Sequence, residues 1–168
     1  MDRLKAEGIK GIKLHPDYQG FFIDDKKMSP IYEAILKRNF VLIFHTGTDE
    51  GIGEPTHATP KRIKNVMSMF RGEKVVLAHM GSFKMWDDVK ETLLGEDVYF
   101  DTSCSERYMS EDELENAVRV HGADKILFGS DLPWSDPKKG IERINSLNIS
   151  NEDKIKILGK NAERLLGL

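Results

Sequence analysis

The chain has 168 residues, 39% hydrophobic and 32% charged, with a net charge of -3 and a pI near 6.0. That length suits one domain, and the slightly acidic balance excludes a basic surface for nucleic acid or membrane. No apolar run approaches the ~20 residues that span a bilayer, the N-terminal MDRLKAEGIK has no signal-peptide core, and the lone Cys104 cannot form an internal disulfide, so a cytoplasmic setting is expected.

Residues 2–7 read as the last turns of a helix that stops at Gly8, so the chain is expected to start inside an architecture. A first apolar run, GIKGIKLHP, covers residues 8–16 and ends in Lys13 and His15. A helix is expected over 27–37, with Ile31, Ala34 and Ile35 on one face. The second run, FVLIFHTG, covers 40–47 and ends in His45. A non-periodic segment follows over 46–59, of a length that is often functional when it sits over a strand end. It contains no phosphate-binding fingerprint, and no Walker A sequence occurs.

Thr59 and Pro60 open a helix expected over 60–70, with Ile63, Val66, Met67 and Phe70 as its buried stripe. KVVLAHMG (74–81) ends in His79, and a helix is expected over 85–94. DVYFDTS (97–103) ends in Asp101. Ser110 and Glu113 have capping-box spacing for a helix that runs to His121 and stops at Gly122. KILFGSD (125–131) ends in Asp131. Helical patterns close the chain over 137–147, 150–158 and 161–166. His57 and His121 read as solvated residues.

The runs are rich in Ile, Val, Leu and Phe without clean alternation, the pattern of strands buried on both faces of a parallel sheet. Their terminal residues His15, His45, His79, Asp101 and Asp131 are spaced 30, 34, 22 and 30 apart, the length of a repeating strand–helix unit. Such units place every strand's last side chain on one rim, where parallel α/β enzymes carry their chemistry. An open doubly wound sheet is the alternative. Alone, His45 or His79 reads more easily as a structural histidine, and Asp101 as a residue holding a turn. A carboxylate at Asp131, beside a buried strand, needs a partner or a metal. Lys13 shares its strand face with His15 and needs a reason too: pairing with Asp101 or Asp131, or binding an acidic substrate. Together, three imidazoles and two carboxylates outline a hydrolytic metal site.

KLHP, FHTG, AHMG, FDTS, FGSDLPW and the ending NAERLLGL resemble the amidohydrolase superfamily, nearest the TIM-barrel metal-dependent hydrolases and decarboxylases related to aminocarboxymuconate decarboxylase. The resemblance implies α/β architecture, with the five runs as strands four to eight of an incomplete (β/α) barrel. It implies His45, His79 and Asp131 as ligands of a divalent metal, zinc first and manganese or iron as alternatives. On the same resemblance His79 is a second ligand or the residue that positions the attacking water, and Asp131 also shuttles the proton. Lys13, His15 and Asp101 are expected on a small carboxylate-bearing substrate; in some branches a strand-four lysine is carboxylated and bridges two metals. The family's His-x-His pair is absent from these residues. Weak metal binding, little turnover and a homo-oligomer are therefore expected, with a catalytically inactive remnant as the alternative.

Overall fold

The computed structural model describes residues 1–168. Five parallel strands form one sheet in the order β1-β2-β3-β4-β5. They are β1 (Gly11–Leu14), β2 (Val41–Phe44), β3 (Val75–Leu77), β4 (Tyr99–Asp101) and β5 (Ile126–Leu127). Spatial order equal to sequence order means each unit returns beside its predecessor, which excludes the doubly wound alternative with its topological reversal. Registers pair Lys13 with Ile43, Phe44 with Leu77, Leu77 with Phe100 and Asp101 with Leu127. The strand C-termini therefore lie level along one rim.

The helices follow the apolar stripes. They are α1 (Asp2–Ala6), α2 (Pro16–Gln19), α3 (Ser29–Leu36), α4 (Pro60–Phe70), α5 (Trp86–Thr92), α6 (Glu111–His121), α7 (Pro137–Ser146), α8 (Asn151–Ile155) and α9 (Asn161–Leu166). Thr59 caps α4, accepting from the Arg62 N–H, and Ser110 with Glu113 forms a full capping box on α6. Two starts differ from expectation. The segment before α3 is a separate 3₁₀ turn, Lys26–Met28, because Pro30 inside the first turn of α3 offers no N–H to extend the helix backwards. The two C-terminal patterns run together through a π-helical turn, Lys156–Lys160, that joins α8 to α9.

One face of the sheet packs under the helices. Leu42, Phe44, Leu77, Phe100 and Ile126 are fully buried there, with Tyr32, Ile63 and Phe70 above them. Tyr32, Phe44 and Phe70 form an aromatic trio with ring centroids 5.3 to 5.6 Å apart. Each such side chain contributes roughly 1.5–3 kcal/mol by leaving water. On the opposite face Val41, Val76 and Leu127 pack against Leu165 of α9. This arrangement explains the unbroken apolar runs: both faces of the strands have a partner.

His121 departs from the sequence reading. It is buried, its Nε2 donates to the Val98 carbonyl at 2.9 Å, and its Nδ1 accepts from the Gly95 N–H at 3.1 Å. The ring stacks on Phe100 at 3.9 Å. Burial pulls its pKa down to about 4, so it is a neutral structural residue. His57 is not free in solvent either: its backbone N–H and its Nδ1 each lie 2.9 Å from Asp17 Oδ1.

Candidate metal centre

Each candidate side chain leaves its strand through a tight turn at the rim. His79, Cys104 and Asp131 have φ of 58, 59 and 60°, the left-handed region that non-glycine residues seldom occupy. Conformations like these cluster at functional sites, where surrounding structure enforces them. The Gly47 turn after His45 is also demanding. Its φ is 89°, and a Cβ there would lie 2.2 Å from Phe83 N. The Gly47–Phe83 bridge ties the loop after β2 to the loop after β3.

His45 and His79 meet directly. His45 Nδ1 and His79 Nε2 are 3.1 Å apart, and both residues are buried. A short chain of hydrogen bonds orients His79. Ser103 Oγ donates to Asp101 Oδ1 and lies 2.9 Å from His79 Nδ1, which places the proton on Nδ1 and leaves the Nε2 lone pair facing His45. Asp101 Oδ1 also accepts the backbone N–H of His79 and of Ser103, each at 3.0 Å. Burial first, then the neighbouring His79 and His15, holds the His45 pKa down to about 4, so its ring is neutral. Its Nε2 is buried without a partner.

Cys104 and Asp131 complete the group. Cys104 Sγ lies 3.6 Å from Asp131 Oδ2, and ligand atoms of His79, Cys104 and Asp131 all fall within 4.8 Å of one another. Burial, then the Asp131 charge, pushes the Cys104 thiol up to about 12, so without a metal it is a neutral donor. A second trio, His15, His45 and Asp49, is equally compact. Its geometry is poorer for a cation. The His15 and His45 rings stack with centroids 4.0 Å apart and planes within 5°. A ligated ion lies close to the plane of each imidazole, and two stacked planes cannot share one. His15 instead pairs through Nε2 with Asp49 at 3.3 Å and caps α2 through Nδ1. Its pKa is lowered by burial, against the pull of Asp49.

These side chains open onto a cleft of about 470 Å³ lined by His15, His45, His79, Cys104, Arg107, Asp131 and Trp134 among others. A neighbouring cleft of about 500 Å³ shares His79, Phe83 and Cys104 with it. His15, His45, His79 and Asp131 all line this cleft, His15 and His45 in one compact group and His79 and Asp131 in the other. The structure does not bring Lys13 or Asp101 into the lining. Lys13 is exposed on β1 and forms no ion pair; Asp101 holds the His79–Ser103 turn, the simpler reading of that residue. Cys104, Asp49 and Arg107 were not anticipated as site residues. Only the position of Cys104, three residues after Asp101, hinted at its place.

The amidohydrolase family profile matches residues 1–168. The chain belongs to the amidohydrolase family. Among solved structures it is similar to an uncharacterized TIM-barrel protein from Bordetella bronchiseptica, with 25% identity and a TM-score of 0.82 over 99% of this chain and 60% of that one. It is similar to 5-carboxyvanillate decarboxylase from Sphingomonas paucimobilis, with 16% identity and a TM-score of 0.70 over 95% and 58% of the two chains. It is also similar to a dihydroxybenzoic acid decarboxylase from Polaromonas with bound manganese, with 18% identity and a TM-score of 0.69 over 98% and 63%. No curated protein matches the sequence. The chain spans less than two thirds of the length of these neighbours, so this amidohydrolase chain has the fold of an incomplete TIM barrel.

The site suits the divalent metal that the family implies. Two imidazole nitrogens 3.1 Å apart match an edge of a coordination shell, about 3.3 Å for a tetrahedron with bonds near 2.0 Å. A neutral His45, an oriented His79 and a carboxylate at Asp131 are the donor types such ions take.

Proposed function

We propose that this chain carries part of the catalytic centre of a metal-dependent hydrolase or non-oxidative decarboxylase for a small carboxylate-bearing substrate. The carrying observation is the 3.1 Å approach of His45 Nδ1 to His79 Nε2 in a rim cleft that Asp131 also lines, with Asp131 grouped beside His79. His45 Nδ1, His79 Nε2 and the Asp131 carboxylate would hold the ion. Bound there, a divalent ion supplies Lewis acidity to a substrate oxygen or a water. Asp131 Oδ1 makes no hydrogen bond inside the chain, so it has a lone pair with which to take a proton from water or substrate. Arg107 lines the cleft without a carboxylate partner and fits a substrate carboxylate better than Lys13 does. Trp134, 71% exposed, and Tyr18, 70% exposed, offer apolar walls for a planar ring. The substrate class is supported by neighbours named as decarboxylases of carboxyvanillate and dihydroxybenzoic acid. The single reduced cysteine supports a cytoplasmic location.

A second reading is favoured by the lack of a His-x-His pair among the 168 residues: an inactive, binding-only chain. Calorimetric titration with Mn²⁺ and Zn²⁺, alongside assay of small aromatic carboxylates and lactones, tests both. Metal binding by the native chain, weakened at least about tenfold in Asp131→Ala, is expected. Turnover is expected to be low, because three ligands from a larger set leave the ion poorly fixed. Measurable product would exclude the second reading. Binding indifferent to Asp131, or no binding, would overturn the metal centre itself.

A further inference from the structure

We infer that the cleft between the loops after β3 and β4 is a second binding subsite, which takes an uncharged apolar group bearing an oxygen acceptor: an aryl ketone, ester or ether. The subsite stands on its own observations. That its occupant is the far arm of the carboxylate substrate rests on the reading above.

Unmet hydrogen-bond donors carry it. Ser82 and Trp86 line this cleft of about 500 Å³ and are 3% and 8% exposed. Ser82 Oγ and Trp86 Nε1 are buried and have no hydrogen-bond partner. Native folds seldom leave such groups unpaired, because burial takes away their bonds to water. An indole N–H can only donate, and a hydroxyl can donate as well, so oxygen acceptors on a ligand answer both.

The walls set the rest of the chemistry. Phe83, Met85, Tyr108 and Met109 supply apolar surface, with Tyr108 edge-on to Phe83 at 4.6 Å between ring centroids. Phe83 is held from both sides of its backbone: its N–H donates to the Thr46 carbonyl at 2.9 Å, and its carbonyl accepts the Thr48 N–H at 3.2 Å. Asp87, Asp88 and Glu113 on the same walls repel an anion. The one lysine there, Lys84, is committed to Glu50. The cleft therefore rejects a second carboxylate and accepts a neutral oxygen. It adjoins the metal-side cleft at His79, Phe83 and Cys104, and each of the two has the volume of a small-molecule site. The substrate class that fits both is a carboxylate with an uncharged, carbonyl- or ether-bearing ring at its other end.

Nuclear magnetic resonance on the isotope-labelled 168-residue protein tests this. Trp86 and Trp134 are the only tryptophans, so their indole N–H signals report one cleft each, and Trp134→Phe assigns them. Acetophenone, which has no carboxylate, should move the Trp86 signal. The two-ring ketone para-benzoylbenzoate should move both signals and bind at least about tenfold tighter than benzoate, because its second ring leaves water. The symmetric benzophenone dicarboxylate, charged at both ends, should bind more weakly than para-benzoylbenzoate. Ser82→Ala and Trp86→Phe, which keeps an aromatic ring, should each weaken para-benzoylbenzoate roughly three- to tenfold while leaving benzoate affinity and circular dichroism unchanged. A para-benzoylbenzoate response at Trp134 alone would overturn the subsite and leave the metal-side reading standing. A Trp86 response to acetophenone, with Trp134 silent to both carboxylates, would uphold the subsite and overturn the shared substrate. Silence at both signals would overturn both.

Discussion

The single side chains of this fold divide into those that hold a site and those that hold a core, and histidine does both. His121 shows the second role, and its burial makes a pH dependence. Its folded pKa is about 4 against an ordinary 6.5, so between those values the unfolded chain binds a proton that the native chain refuses. The associated stability, about 3 kcal/mol, is fully present above pH 6.5 and is lost as pH falls towards 4. Replacing it with leucine removes the bonds to Val98 and Gly95 and should cost roughly 1–3 kcal/mol at pH 7. The same variant should show a shallower fall in stability between pH 6.5 and 4. Urea unfolding of both proteins at three or four pH values checks this; parallel pH curves would show that His121 is not the titrating group. His57 and His121 looked solvated because their partners, Asp17 and Val98, lie 40 and 23 residues away. Local pattern carries no trace of such contacts.

At the scale of elements, the strand ends were legible and the loops were not. Apolar runs that stop in His45, His79 and Asp131 announce buried strands and a polar rim, because period and composition are local properties. The capping residues Thr59 and Ser110 marked helix starts for the same reason. Asp49, Cys104 and Arg107 reach the cleft only through turns whose direction depends on neighbouring units. Gly47 is the sharpest of these controls. A methyl group there would meet the Phe83 backbone at 2.2 Å, and φ of 89° disfavours any side chain. Gly47→Ala should therefore push the loops after β2 and β3 apart, at a cost of roughly 1–3 kcal/mol. His45 and His79 sit at the bases of those loops, so metal affinity should fall with stability. A thermal melt and a metal titration of this variant would show both losses; an unchanged melt would mean that the loops give way freely.

The whole molecule has one unfinished boundary. At the β5 side the sheet is closed off, since the Phe128 N–H donates to the Ile157 carbonyl at 2.8 Å and the α8–α9 segment covers that flank. At the other side β1 pairs only with β2, so the outer backbone groups of Gly11–Leu14 have no strand partner. Lys13 is exposed there and Ile12 is half-buried; Ile9 beside them is 44% exposed. A lysine on an edge strand discourages indiscriminate pairing, yet an open edge with apolar neighbours still templates association. Covering it recovers roughly 25 cal/mol per Å² of apolar area, and backbone pairing along the edge adds to that, both favouring association. The protein should therefore sediment as a dimer or larger assembly through the β1 edge. Ile12→Lys, which adds a second charge to that edge, should shift the population to monomer without unfolding the α3–β2–α4 core. Sedimentation velocity on both proteins decides the matter: a native chain that is monodisperse and monomeric would show that the edge stays open in water, and an unchanged assembly in the variant would move the contact to another surface.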